Sequence, residues 1–331
     1  MTALVTGASG FLGGRLVQML AADGLPVRIL ARRGAGLLHL AGLRVEVVVG
    51  SLADADALAA AVRGITHIYH CAGCSTDWAP ESAFVAANVE GVRSLLAAAS
   101  GSGSLRRLLH VSTTDVYGYP YAPCDESHPT ADAGLPYNRT KRMGEECVWE
   151  ARRNTGLPVT VVRPATIFGP RGQAFTADIA QHLRRGSMAV IDGGRAPGGF
   201  SYVDNVARAM MLAATTPEAE GRVYNIADGH GKTWREYVDA LADAMGKRRP
   251  VLDLPSAVAL PLARSLEACH RALHLPGRPP LTRHAVYLLS RNQEYPAGRA
   301  RRELGFAPEV GFEEGIARAA EWLERERSGA Q

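Results

Sequence analysis

Apolar positions in the first half of the chain switch regularly between two rhythms. Short apolar runs predict strands at Ala3–Thr6, Val27–Ala31, Val45–Val49, Ile65–Cys71, Leu108–Ser112 and Val159–Arg163. Between them, apolar residues at helical spacing predict helices at Phe11–Ala22, Asp54–Val62, Ser82–Ser100 and Tyr137–Asn154. Parallel strands need crossover connections, so this alternation predicts a doubly wound parallel α/β sheet with helices on both faces. After Pro164 the rhythm breaks. A Gly/Pro-rich loop at Gly193–Gly199 precedes a helix at Val203–Ala214 and a late strand at Arg222–Ala227. The remainder reads as mainly helical and ends in an amphipathic helix near Phe312–Arg327.

Composition narrows the class only a little. The 331 residues are 47% hydrophobic and 21% charged, a globular balance that excludes a disordered tail protein. The formal charge of +4 is spread out, with pairs such as Arg152-Arg153 and Arg184-Arg185 balanced by nearby acids, so no nucleic-acid footprint is expected. The five cysteines are too few and too irregular for a disulfide framework. Cys71 and Cys74 form a C-x-x-C, but no second Cys/His pair completes a metal set. Thr2-Ala3-Leu4-Val5 reads as a strand rather than a leader, and no apolar run is long enough to span a membrane. A cytoplasmic, reduced setting is the expectation.

The first candidate chemistry lies directly after the first strand. Gly7-Ala8-Ser9-Gly10-Phe11-Leu12-Gly13 turns the chain and opens the first helix. Glycines allow a pyrophosphate to approach the helix N–H groups, where the dipole favours negative charge. The spacing is G-x-x-G-x-x-G, not the commoner G-x-G-x-x-G, and alone it is equally a tight strand–helix connection. Its place in the α/β pattern favours a dinucleotide. The second strand ends at Ala31-Arg32-Arg33, where an NAD site would usually place an acid for the ribose 2′-OH. Two arginines there suit a 2′-phosphate, so NADP (as NADPH) is expected and NAD less so. The predicted architecture is therefore a Rossmann-type sheet domain over residues 1–163, rejoined by 201–228. A smaller, mainly helical C-terminal substrate lobe is expected from 164–200 and 229–331.

A second motif, Tyr137-Asn138-Arg139-Thr140-Lys141, places a phenol and an ammonium one helical turn apart on one face. A nearby cation stabilises phenolate and makes tyrosine a usable acid–base group. Only Lys141, Lys232 and Lys247 are lysines among 37 basic residues, so a lysine at this position stands out. A flexible ammonium can bond ribose hydroxyls beside a phenol, which a rigid guanidinium does less well. Upstream, Ser112-Thr113-Thr114-Asp115-Val116-Tyr117-Gly118 follows a strand, where a hydroxyl points into the ligand crevice of an α/β sheet.

With these pieces the chain resembles an extended short-chain dehydrogenase/reductase, similar to the 3β-hydroxysteroid dehydrogenase-like and NAD-dependent epimerase/dehydratase-like branch. Further motifs in the same order carry the resemblance: His70-Cys71-Ala72-Gly73, Asp77-Trp78-Ala79-Pro80, Asn88-Val89-Glu90-Gly91, Arg163-Pro164-Ala165-Thr166-Ile167-Phe168-Gly169-Pro170, Tyr202-Val203-Asp204-Asn205 and Leu304-Gly305-Phe306. The resemblance implies that Tyr137 gives or takes the proton, and that Lys141 lowers its pKa and holds the nicotinamide ribose. It implies that Thr113 orients the substrate, with Ser112 the weaker candidate. Asn88 would serve a proton-relay water, or alternatively be a buried polar residue that kinks its helix. Gly7, Ser9, Gly10, Phe11, Leu12 and Gly13 would surround the pyrophosphate. Arg32 and Arg33 would meet the adenosine phosphate, Ser51 and Leu52 the adenine, and Ala72 and Gly73 the length of the cofactor. Pro164 and Ile167 would lie near the carboxamide. No metal is implied.

The implied function is an NADPH-dependent ketoreductase acting on a hydrophobic carbonyl compound: steroid-like, terpenoid, polyketide-derived or β-keto-acyl. Asp77, Trp78, Tyr119, Tyr121, Phe168, Phe175 and Tyr202 are candidates for an apolar pocket or, more simply, for core. Pro255–Leu275 suits a helix over such a pocket or a membrane-surface contact. Thr114 stands where the dehydratases carry an acid, which argues against dehydration. One alternative is a sugar-nucleotide epimerase with bound NAD, using Arg171 and Arg235 for a diphosphate. The other is a non-catalytic NADP-binding sensor. A homodimer through the helices Ser82–Ser100 and Tyr137–Asn154 is expected by analogy.

Overall fold

The computed structural model describes residues 1–329. The chain runs β1 (Ala3–Thr6), α1 (Phe11–Ala22), β2 (Val27–Ala31), β3 (Val45–Val49), α2 (Ala55–Val62), β4 (His67–His70), α3 (Glu81–Val85), α4 (Gly91–Ser100) and β5 (Arg107–Val111). It continues through α5 (Pro136–Thr155), β6 (Val159–Pro164), β7 (Thr166–Phe168), α6 (Asp178–Arg185), β8 (Ala189–Ile191), β9 (Phe200–Tyr202), α7 (Val203–Thr215) and β10 (Val223–Ile226). Last come α8 (Trp234–Ala244), β11 (Leu252–Leu254), α9 (Ser256–Ala272), α10 (Arg283–Ser290), α11 (Gly298–Leu304) and α12 (Phe312–Ser328).

Seven strands form one sheet in the order β10-β6-β5-β4-β1-β2-β3, every neighbouring pair parallel. Apolar side chains cover both of its faces, which is why its central strands read as continuous apolar runs. On one side Leu16, Val17 and Leu20 of α1 pack with Val206 and Met210 of α7 and Leu304 of α11. On the other, Leu58 and Val62 of α2 meet Leu95 and Leu96 of α4 and Val148 of α5. The strand order reverses between β1 and β4, so a crevice opens where the glycine turn leaves β1.

Two expected elements differ in detail. The helix expected over Ser82–Ser100 begins at Glu81 and widens into a π-type turn at Ala86–Glu90, joining α3 to α4. The strand expected at Ile65–Cys71 pairs only over His67–His70. Beyond β6 the chain builds two small parallel pairs, β7 with β9 and β8 with β11. Aromatic side chains there form a separate core in which Phe200 stacks on Tyr237 with ring centres 4.2 Å apart, and Phe168, Trp234 and Phe312 close around them.

Candidate active site

The glycine turn is a backbone-to-backbone contact. Gly7 has φ +75°, and a Cβ on it would stand 2.7 Å from the Ala72 amide nitrogen. At Gly13 a Cβ would stand 2.4 Å from the Gly7 carbonyl oxygen. The Thr6 hydroxyl bonds His70 Nδ1 at 2.7 Å and accepts from the Ala72 N–H at 3.3 Å, tying the end of β1 to the loop after β4. α1 starts without a side-chain cap and without an acid in its first turn, so its amides are free for an anion. Behind the turn, Arg171 donates to the Ser9 carbonyl at 3.3 Å and His39 lies 3.0 Å from the Ala8 carbonyl. Arg32 and Arg33 are exposed at the end of β2.

The other expected cofactor residues scatter more in character. The Ser112 hydroxyl is buried at the end of β5 and has no partner among the described residues. Ile167 is half-buried in β7, and the Pro164 carbonyl accepts from the Thr114 hydroxyl at 3.4 Å. The Ser51 hydroxyl accepts from the Ala53 N–H at 3.2 Å, and the Leu52 side chain packs toward Gly91. A nicotinamide dinucleotide fits this cradle on three counts. The helix start is uncapped, the turn would be filled by any Cβ, and the buried Ser112 hydroxyl stands unpartnered at the end of β5, along the same edge of the sheet.

α5 brings Tyr137 and Lys141 to the same crevice. Lys141 is buried and donates from Nζ to the Val111 carbonyl at 2.6 Å, which fixes it under the end of β5. Burial pulls its pKa down to about 8, against the partial opposition of Glu145. Tyr137 is pushed above its ordinary value, first by burial and then by the Asp115 carboxylate, while a hydrogen bond with Thr113 opposes the rise. The shift runs opposite to the lowering expected from Lys141. Burial thus favours the protonated phenol.

Asp115 connects this crevice to a part of the chain that motif reading did not reach. It is buried, and one carboxylate oxygen accepts from the Tyr119 hydroxyl at 2.8 Å and from His284 Nε2 at 2.8 Å. His284 belongs to α10, and its ring centre lies 5.6 Å from that of Tyr137. Together they line a cavity of about 20 Å3 with Asp77, Trp78, Phe84 and Arg283. α10 is clamped down by further pairs: Asp77 takes the Thr282 hydroxyl at 2.7 Å and Arg278 at 2.9 Å, and Glu267 of α9 takes Arg283 at 2.8 Å. The only sequence signal for this arrangement was an acid inside the Ser112–Gly118 run. A buried carboxylate needs partners, but nothing local says which of ten histidines supplies one.

Other candidates stand elsewhere. Asn88 sits in the π-type turn with its amide committed: its oxygen accepts from the Cys74 N–H at 2.8 Å, and its nitrogen donates to the Cys74 carbonyl and the Thr140 hydroxyl. The α5 backbone passes so close that a Cβ on Gly144 would stand 2.2 Å from the Asn88 carbonyl oxygen. Tyr119, Phe168 and Tyr202 are buried core, Phe175 packs against the aromatic cluster, and Tyr121 is exposed beneath Arg291. Arg235 donates to the Pro250 carbonyl and pairs with Asp239, so it shares no partner with Arg171. Cys71 and Cys74 are free thiols, and desolvation pushes Cys71 up to about 12, far from a reactive thiolate.

The model of the NAD dependent epimerase/dehydratase family matches residues 3–227. A 4-hydroxy-2-methyl-3-oxo-4-farnesyl-3,4-dihydroquinoline-1-oxide ketoreductase of Stigmatella aurantiaca is 34% identical, over 96% of this chain and 95% of that protein. A 2-alkyl-3-oxoalkanoate reductase of Stenotrophomonas maltophilia is 32% identical, over 96% of this chain and 98% of its own length. The solved structure of MoeE5 in complex with UDP-glucose and NAD has a TM-score of 0.79 at 23% identity, covering 99% of this chain and all of that one, which marks a shared fold.

Proposed function

Because the chain belongs to the NAD dependent epimerase/dehydratase family and is an NAD(P)-dependent oxidoreductase, we propose that it is an NADPH-dependent ketoreductase acting on a hydrophobic carbonyl substrate. The observation that carries this reading is the pair on one face of α5, Tyr137 and Lys141, with Lys141 held by the Val111 carbonyl at the end of β5. A protonated phenol is the form that reduction needs, since the product alkoxide must receive a proton. When bound, the cofactor supplies hydride to the carbonyl carbon.

The chain's own residues do the rest. Thr113 and Tyr137 donate to the carbonyl oxygen, where donors set in advance count most as negative charge develops. Tyr137 passes its proton to that oxygen. The Lys141 ammonium, one turn along the same face, offsets the charge left on the phenol and holds the ribose. Burial, and after it Asp115, disfavours phenolate, which suits a phenol that donates its proton. Arg32 and Arg33 take the 2′-phosphate, and the names of the two reductase relatives support an apolar keto compound. In this reading residues 1–163 and 201–228 hold the cofactor, and 164–200 with 229–331 hold the substrate.

The sugar-nucleotide reading is weaker here, because Arg171 and Arg235 face different partners. The test is a panel of apolar ketones, β-keto acids and UDP-sugars with NADPH and NADH in parallel, following cofactor oxidation. Oxidation of NADPH by the apolar ketones at a kcat/KM at least tenfold above NADH is expected. Interconversion of UDP-sugars without added cofactor would overturn the reading.

A further inference from the structure

α9 is apolar on two faces, and the fold uses one of them. Ala259 and Ala263 pack with Ile191 of β8 and Val286 of α10. One turn on, the same face buries Glu267, which Arg283 and Arg271 answer. Helical spacing turns Val258, Leu262, Ser265, Ala268, Cys269 and Ala272 the other way, and all of them are exposed. Leu273 and Leu275 stand exposed at one end of this stripe, and Val251 and Leu252 at the other. Among the described residues, six of the twelve exposed large apolar side chains fall within residues 251–275, which makes a patch and not the ordinary scatter.

The charges around the patch say what covers it. Glu267 is the one acid of α9, and it points inward. Arg264 and Arg271 lie along one edge of the outward face, one above the other at helical spacing. At the N-terminal end, Asp192 accepts from the Ser256 N–H, Asp253 from the Gly193 N–H, and Asp243 holds Arg249. Lys247, Arg248 and Arg264 are left without an ion pair among the described residues. An apolar stripe with a basic edge is complementary to a bilayer with anionic headgroups. A second copy of the chain fits less well: stable dimers bury about 800 Å2 on each partner, from roughly 20–30 residues, and this face is one side of one helix. Nor is α9 a span, since among the described residues no helix is long and apolar enough to cross a membrane.

We propose that α9 docks the protein on anionic lipid surfaces. The helix lies in the plane of the interface, with Val258, Leu262 and Leu273 toward the acyl chains and Arg264 at the headgroups. The contact does not depend on the ketoreductase reading, but it would serve it. Glu267 and Arg271 of α9 line the cavity beside Tyr137, and Trp78 packs against both Arg271 and His270. The helix that meets lipid is thus also a wall of the site, which brings an apolar ketone dissolved in the bilayer close to Tyr137.

Flotation of the full chain with vesicles tests it, using phosphatidylcholine alone or two parts phosphatidylcholine to one part phosphatidylglycerol. The mixed vesicles are expected to bind the protein about tenfold more strongly, the worth of one or two basic side chains near an anionic surface. Leu262→Ser combined with Leu273→Ser should weaken that binding roughly 10- to 100-fold, and Arg264→Glu alone about tenfold. Melting temperatures should not change, because all three side chains are exposed. Val47→Ser, which trims a comparably exposed side chain on β3, should leave flotation as it is. Failure to float with the mixed vesicles, equal binding to both compositions, or binding that survives the double substitution overturns the proposal. So does a wild-type dimer in sedimentation equilibrium that the double substitution splits into monomers, which would give the face to a second copy. Should the double variant not fold, R264E still decides, and unchanged flotation by it counts against the proposal. NADPH oxidation by apolar ketones without vesicles reports on the ketoreductase reading alone.

Discussion

The two sides of Tyr137 are made in different ways. On the glycine-turn side, the contacts are backbone against backbone, as between Gly7 and Ala72, or run from a side chain to a strand carbonyl, as from Lys141 to Val111. On the α10 side, side chains meet across great lengths of chain: Asp115 with His284 at 169 residues' separation, and Asp77 with Thr282 at 205. Backbone contacts within a sheet cannot open without breaking the fold. Ion pairs between a loop and a helix can, at a cost of only a few kcal/mol when one partner is lost. The glycine-turn side is thus a fixed surface, and the α10 side a latched one.

The sharpest test of this contrast is Tyr137→Phe, at the border of the two sides. It removes only the proton, so kcat should fall by roughly 10²- to 10⁴-fold while the Kd for NADPH stays within about twofold. Comparable turnover by the variant would end the assignment of Tyr137 as the acid. Next in size is the fixed side. Replacing Arg32 and Arg33 with Ser should raise the Kd for NADPH by roughly 10- to 100-fold, the worth of one or two charge-assisted bonds, and leave the Kd for NADH nearly unmoved. An equal loss for both cofactors would mean that the arginines do not read the 2′-phosphate.

The latched side should respond differently. Asp77→Asn weakens the hold on Arg278 and Thr282 together, so amide exchange across α10 should quicken and the ketone KM should rise about three- to tenfold. The Kd for NADPH should not change. If it did, the two sides would not be separable. The smallest expected effect is a pH dependence. Lys141 titrates near 8 in the folded chain, below its ordinary value, so its ammonium is present below that pH and lost above it. Cofactor affinity should therefore decline as pH rises through about 8, in calorimetry from pH 6 to 10. Folding stability should move the other way between 8 and the ordinary lysine range, because there the unfolded chain binds the proton that the folded chain has released.

The same contrast governs how much could be read from the chain alone. The strands β1, β2, β3, β5 and β6 and the helices α1 and α5 lie within a few residues of their expected places, because each is a local apolar pattern with its own stop signals. The dinucleotide turn was legible for the same reason: three glycines within seven residues are a statement about backbone space. The nicotinamide-dependent oxidoreductase class followed from that turn and from Tyr137–Lys141. The π-type turn at Asn88 was not legible, since it depends on α5 pressing its Gly144 against the Asn88 carbonyl. The direction in which Tyr137 is shifted was not legible, because i, i+4 spacing exposes the cation four residues away but neither the burial of the phenol nor the carboxylate that the fold brings near it. His284 was invisible: neither its helix nor its spacing distinguishes it from the other histidines.

By itself, then, the amino-acid sequence determined the elements, their parallel winding and the cradle for a dinucleotide, all of which follow from interactions within about one turn or one strand. The tertiary structure alone decided which carboxylate stands near the Tyr137 phenol and which histidine answers that carboxylate. Those are consequences of burial. Whether a charge is tolerated or a proton retained depends on what water has been removed from it, and that is settled by residues hundreds of positions apart arriving at the same place.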